Sequence, residues 1–306
     1  MRGGAHANVQ ITDRSVMLLG DGQRTGHRRA SLRTNSSRSS RKQPRELRQV
    51  LAHVRSAPDP GRVHRNDAKR LIGCVAISKL RNAMGLRISK PRVATRSDHH
   101  IVTIFDRNYP TLLREVAKPP IVLFLRGNLD ALRGEQIAVV GSRKPSHSGK
   151  EIAFRVARAL SREGYAITSG LANGIDAAAH RGAIDSGGMT VAVFGYGIDK
   201  VYPARNRGLA SRVADSAALM SEFPLGSAPL PYNFLRRNRI ISGLSLGTLV
   251  VEAAAKSGSI STAMYALGQG LEVFAIPGSI RNPMAAGCHC LIKQGATLVD
   301  GIADIL

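Results

Sequence analysis

Cysteine is scarce: Cys74, Cys288 and Cys290 are the only three in 306 residues. Three thiols do not make a disulfide framework, so a reducing, cytoplasmic compartment is the simpler inference. Long apolar runs are missing as well. No stretch approaches the ~18 residues of a membrane span, so no membrane partner is expected. The apolar "VMLLG" near the start is too short for a signal-peptide core. Acidic residues are the third shortage. Against 44 Lys and Arg stand 21 Asp and Glu, a formal net charge of +23. That balance favours polyanionic partners over acid-seeking basic ones. Solubility plus a basic tail is the plainer reading of the same excess.

The familiar nucleotide signatures are also absent. There is no G-x-x-x-x-G-K-[ST] phosphate loop, and G-x-G-x-x-G fails at both candidate places. "GSRKPS" has one glycine, and "GYGIDK" carries Gly195 and Gly197 but Lys200 where the third belongs. Neither NAD nor ATP is expected, and no cofactor is assigned. "CHC" at Cys288–Cys290 could suggest a metal, but three consecutive ligands strain tetrahedral geometry and no C-x₂-C partner exists. No metal site is expected.

What is present begins with the uneven charge. Residues 1–100 carry 22 Lys and Arg against 6 Asp and Glu; residues 101–306 carry 22 against 15. The stretch "RRASLRTNSSRSSRKQPR" has neither helical nor strand period, so residues 1–100 read as a basic arm, largely unstructured or degenerate helical. Organelle transit peptides share this composition, but a basic arm is the expectation. One short helix is conceivable around "AKRLIGCVAISKLRNAMG", weakened by Gly73 and Gly85. Residues 101–135 form a lead-in segment, whose apolar run Ile121–Leu125 predicts a strand.

From 136 to 306, short apolar runs alternate with helical stretches. "IAVVG", "YAITSG", "MTVAVFG", "ALMSEFP", "GTLVVEA", "EVFAIPG" and "TLVD" read as strands, and the spacers as helices. The fold class is therefore α/β: a Rossmann-like, doubly wound, mostly parallel sheet covered on both faces. Ligands of such sheets bind beyond the carboxyl ends of the strands, so function is expected in the loops there.

Four of those loops carry candidate residues. In "VVGSRKPSHSG", Gly141 permits a sharp turn, and Ser142 and Arg143 stand at a helix N-terminus suited to an anion. An ordinary βα turn with a surface arginine is the plainer alternative. In "SGLANGIDAAAH", Gly170 and Gly174 allow close approach of backbone to ligand. Asp176 and His180 share a helix face, and with no nucleophile at fixed spacing they read as a structural pair. "YPARNRGL" offers Arg205 and Asn206, with Asn206 as a plain helix cap the alternative. "FLRRNRIIS" places Arg236 and Arg239 on one flank of a helix, with Phe234 and Ile241 on another and Asn238 between. The segment can be anchored by its apolar side while its guanidinium groups project. Tyr196, Tyr202, Tyr232 and Phe234 could stack one or two bases.

These blocks, in this order and spacing, resemble the DNA-processing protein A (DprA/Smf) family from about Asp106 to Leu306. The resemblance implies an extended Rossmann domain that binds single-stranded DNA, protects it during natural transformation, helps load a RecA-type recombinase and works as a homodimer, without catalysis. Carried onto this chain, the site it implies comprises Gly141, Ser142, Arg143, Ser169, Gly170, Gly174, Arg205, Asn206, Arg236, Arg237, Asn238 and Arg239. The chain departs from the family pattern at Asn173, usually basic; at Met264, usually arginine; and at Cys288–Cys290, usually Thr-Asn-Arg or similar. The family's N-terminal helical domain is not legible in residues 1–100, and the C-terminal winged-helix domain of many members is not expected, since the sequence closes on "GIADIL".

An enzymatic rival is the lysine-decarboxylase-like (LOG) group of nucleotide phosphoribohydrolases. "SGLSLGTLVVE" keeps its Gly247, Thr248 and Glu252, but lacks its Pro-Gly-Gly and sets the glutamate one residue too far along. A degenerate scaffold that binds nothing tightly is the third reading.

Overall fold

The computed structural model describes residues 98–306. The basic arm and the conceivable helix within residues 61–97 lie outside the described residues.

Nine strands form one sheet: β1 (His99–Thr103), β2 (Val122–Gly127), β3 (Gln136–Gly141), β4 (Ala166–Ser169), β5 (Thr190–Phe194), β6 (Ala218–Ser221), β7 (Gly247–Val251), β8 (Glu272–Ala275) and β9 (Thr297–Leu298). Their order across the sheet is β1-β2-β6-β5-β4-β3-β7-β8-β9. From β6 to β9 all pairs are parallel, while β1–β2 and β2–β6 are antiparallel. The seven sequence-predicted strands of 136–306 are all present, and the lead-in strand is β2. Strand β1 escapes the sequence reading because it opens on two histidines and buries only Val102. Its start is tied by Asp98, whose carboxylate accepts from Arg126 Nε at 3.1 Å.

The helices are α1 (Thr111–Glu115), α2 (His147–Arg162), α3 (Ile175–Asp185), α4 (Arg207–Ser216), α5 (Pro231–Gly243), α6 (Gly258–Gly268) and α7 (Ala286–Lys293). Successive side chains of a strand point to opposite faces, and the two cores divide accordingly. Ile137 and Val139 of β3 pack with Ala153, Ala157 and Leu160 of α2 and with Ile175 and Ala179 of α3. Ala138 and Val140 face the other way, toward Ile240 and Ile241 of α5, Ala263 and Ala266 of α6 and Leu291 of α7. In β5, Ala192 and Phe194 belong to a third cluster with Leu209 and Val213 of α4. Both faces are thus covered, which is why the strands read as near-continuous apolar runs.

Helix α2 starts where Ser146 accepts from Gly149 N–H, a side-chain cap. Helix α5 starts with a proline in its first turn, where the missing N–H costs no hydrogen bond. The chain winds outward from β3 to β6, then returns through α5 to place β7 on the other side of β3. This reversal makes the gap between β3 and β7 the topological switch point, the place such sheets use for ligands. Among the described residues no helix is long and apolar enough to cross a membrane.

Candidate nucleic-acid interface

The loop after β3 is held tightly. A Cβ on Gly141 would meet the Val251 carbonyl and the Ile175 side chain, so only glycine fits against β7 and α3 there. Ser142 is buried. Its N–H donates to Glu252 O at 2.6 Å, and its carbonyl accepts from Ile175 N at 3.1 Å. Its hydroxyl accepts from Lys144 N at 3.1 Å. Arg143 is exposed, with its guanidinium carbon 5.6 Å from the centroid of the Phe234 ring.

The sequence places an anion at the N-terminus of α2. The fold fills that position from within. Glu252 accepts from Ser146 N at 2.7 Å and from Ser146 Oγ at 2.6 Å, and its Oε1 also accepts from Asn282 Nδ2 at 3.1 Å. Its φ of 47° turns the chain out of β7 so that the carboxylate lies over the first turn of α2. The favourable place for negative charge at this helix end is taken by the chain's own carboxylate.

The loop after β4 repeats the device. Asp176 accepts from Gly170 N at 3.1 Å and from Ala172 N at 3.3 Å. Burial raises its pKa, against the lowering effect of Arg237 and of these two amides. Gly174, at φ 82°, passes so close to the Ser142 carbonyl and Pro145 that no side chain fits. Ser169 Oγ donates to Val139 O at 2.6 Å and ties β4 to β3. His180 does not meet Asp176. Its Nδ1 pairs with Thr190 Oγ1 at 2.7 Å, and Thr190 in turn donates to Ile167 O at 2.7 Å. Burial, with help from Arg237 and Arg181, pulls the His180 pKa down to about 3. The expected pair is therefore not formed: each of the two residues bonds to a different part of the fold.

In the loop after β5, Arg205 is exposed and Asn206 is buried. Asn206 occupies the cap position of α4, but its side chain makes no cap bond there. Instead Asn206 Nδ2 donates to Leu171 O at 2.9 Å, joining this loop to the one after β4. Of the four rings expected to stack one or two bases, one is enclosed by the fold. Tyr196 is buried, its hydroxyl donating to Tyr202 O at 2.7 Å and accepting from Tyr202 N at 2.9 Å. Burial pushes its pKa up to about 12. Tyr202 and Tyr232 are the exposed rings, at 49% and 63%. Phe234 lies half-buried between Arg143 and Tyr202.

Helix α5 divides its basic block by direction. Arg236 points outward, with its side chain 60% exposed. Asn238 turns inward and donates to Gly258 O at 3.0 Å. Arg239 is buried, and donates from Nη2 to Glu222 Oε2 at 2.6 Å. Arg237 is 5% exposed and lies under the loop after β4, its Nη2 3.4 Å from Gly170 O. A Cβ on Gly170 would strike this guanidinium. Arg237 makes no ion pair among the described residues, and its buried Nε has no partner. Burial lowers its pKa, with Asp176 as the main opposing influence. So Arg143 and Arg237 lie close enough at the carboxyl edge for one charge to act on the other, while Arg239 serves an internal carboxylate.

Three carboxylates beneath this edge, Asp176, Glu222 and Glu252, are what sequence reasoning left out of the site. Asp176 carried a signal as the residue sharing a helix face with His180, and Glu252 as the glutamate of the rival pattern; Glu222 carried none. Cys288–Cys290 lie in α7 and diverge. Cys288 is buried against Val250 O, while His289 Nε2 lies 3.0 Å from Gly278 O. Among the described residues no three such side chains gather as a metal site. Met264 is exposed on α6.

Residues 100–306 match the family model described as DNA recombination-mediator protein A. Protein Smf of Escherichia coli is 49% identical over 210 residues, a match covering 68% of this chain and 56% of that protein. The DNA processing protein DprA of Streptococcus pneumoniae is 45% identical over 204 residues, covering 67% of this chain and 72% of the relative. The crystal structure of the S. pneumoniae protein superposes with a TM-score of 0.70 at 36% identity, over 85% of this chain and 90% of that one. A structure of DNA processing protein A from Helicobacter pylori, described for its single-stranded DNA binding mode, gives a TM-score of 0.62 at 26% identity. It covers 68% of this chain and 93% of that one.

Proposed function

The chain belongs to the DNA recombination-mediator protein A family, and from that membership we propose that it binds single-stranded DNA along the carboxyl edge of its parallel sheet. The observation that carries this reading is Arg237. A guanidinium so deeply buried without an ion pair is costly to the fold. A phosphate brought to the rim beside Arg143 adds to the negative charge that Asp176 alone offers Arg237. The backbone amides that would otherwise hold an anion are engaged with Asp176 and Glu252. Phosphate recognition therefore falls to arginine side chains: Arg143, Arg236 and Arg205 at the surface, Arg237 beneath. Gly141, Ser142, Ser169, Gly170, Gly174, Asn206, Asn238 and Arg239 shape the rim rather than grip the strand. Tyr202 and Tyr232 offer exposed faces on which bases stack without regard to sequence.

In the cell this activity serves natural transformation in the cytoplasm. The protein covers incoming strands and passes them to a RecA-type recombinase, as a homodimer and without catalysing a reaction. The rival phosphoribohydrolase reading needs Glu252 available to a substrate. Both of its carboxylate oxygens are instead hydrogen-bonded to Ser146 and Asn282, which supports the binding reading. Release of free base from a nucleoside monophosphate would reverse that preference.

The test is a salt series of oligonucleotide binding with Arg143→Ala. Loss of one phosphate contact reduces the slope of log K against log salt by about 0.7 on single strands. Unrelated sequences weaken alike, because backbone contacts carry no sequence information. A loss confined to one base sequence contradicts the proposal.

A further inference from the structure

Glu222 follows β6 at the same edge, and its side chain is only 5% exposed. One oxygen, Oε2, accepts from both Arg239 Nη2 at 2.6 Å and Arg236 Nη2 at 3.2 Å. The other, Oε1, is buried without a partner among the described residues, and so is Arg239 Nη1. A carboxylate serving stability alone would satisfy both oxygens; this one concentrates two guanidinium groups on a single oxygen. The guanidinium carbon of Arg236 is further held 5.7 Å from the Phe223 ring centroid.

We propose that Glu222 is a positioning residue for strand binding: it fixes Arg236 by one corner of the guanidinium so that the remaining donors face the phosphate. The proposal rests on the strand-binding reading above. Its logic is one of charge and geometry. Arg239 is the closer and more buried partner, so it neutralises Glu222 and leaves Arg236 its net positive charge. The planar fork of arginine offers donors on more than one edge. Arg236 commits Nη2 to Glu222 and makes no other hydrogen bond among the described residues. An exposed arginine otherwise loses rotamer freedom when a phosphate immobilises it, which weakens binding. Tethering it beforehand removes most of that loss.

The experiment is a double-mutant cycle on the full chain, reading the affinity and salt slope for a labelled oligothymidylate. Glu222→Gln is expected to weaken binding about three- to tenfold with an unchanged slope, since Arg236 keeps its charge. In an Arg236→Ala background the same substitution is expected to do nothing further. An equal loss in both backgrounds overturns the proposal, and so does tighter binding with a steeper slope, the mark of simple charge removal. Arg236→Lys lies on the exposed side of α5 and tests the idea without touching the buried pair. It keeps the charge but cannot serve Glu222 and a phosphate through one planar fork. The same loss at constant slope is expected, and unaltered affinity overturns the proposal. If Arg236→Ala binds as the wild type does, Arg236 is no strand contact and both readings of it fail. If Arg236→Ala weakens binding but Glu222→Gln does not, only the positioning role falls.

Discussion

Gly170 is the residue on which the candidate site hinges. Its missing side chain leaves the space that the Arg237 guanidinium occupies. Gly170→Ala sets a methyl group against a fully enclosed charge. The expected outcome is a stability loss of about 1–3 kcal/mol, as for other overpacked interiors. A clear weakening of strand binding accompanies it, read by denaturant unfolding and by oligonucleotide titration on the same sample. Folded protein that binds with wild-type affinity would show that Arg237 has no part in recognition.

His180 gives a second expectation at this scale. It is held neutral in the fold with a pKa near 3, against about 6.5 when unfolded. Between those values the unfolded chain binds the extra proton, so stability falls as the pH is lowered below about 6.5 and keeps falling toward 3. At pH 5 this amounts to about 2 kcal/mol relative to neutral pH. Denaturant midpoints at pH 7 and 5 check it: the drop should be smaller in His180→Gln, which has no proton to gain.

At the scale of elements, the join between β7 and the start of α2 depends on one side chain. Glu252 reaches across the switch point to Ser146, 106 positions away in sequence. Glu252→Ala removes three hydrogen bonds and the carboxylate at the helix N-terminus. A loss of about 1–3 kcal/mol is expected, measured by thermal or chemical unfolding, with Glu252→Gln recovering part of it. A shift of only a few tenths would mean that solvent replaces the carboxylate readily. The same element scale explains why legibility differed along the chain. Strands β3 to β8 are apolar on both faces and easy to read. Strand β1 is an edge strand that opens on His99 and His100, and its pattern is too polar to announce itself. In α5 the spacing of Phe234 and Ile241 on one flank and of Arg236 and Arg239 on another pointed to the helix, but burial of Arg237, Asn238 and Arg239 ran against every expectation attached to their polarity.

For the whole molecule, the question is where binding resides. Residues 1–100 hold a charge surplus of 16, and those beyond a surplus of 7. A chain beginning at Asp98 keeps all nine strands of the sheet and the hydrogen bond that Arg126 donates to Asp98. It is expected to retain strand binding with a shallower salt slope than the full chain, because fewer phosphates are neutralised. Binding by the full chain alone would move the site to the basic arm and end the loop proposal. A start at Ile101 would be a poorer comparison, since it cuts into β1.

The sequence by itself determined the alternation of strand and helix, hence the parallel sheet, the edge at which its loops gather, and the family. These follow from local patterns of a few residues, and from blocks whose order survives in one dimension. Which arginine faces outward was decided only in three dimensions. Arg236 and Arg239 are neighbours on α5, yet a glutamate 14 and 17 positions away holds both of them, one exposed and the other enclosed. Arg237, between them, goes under a glycine 67 positions back. Charge is a property of the residue, but its availability depends on burial and on partners brought in by the fold.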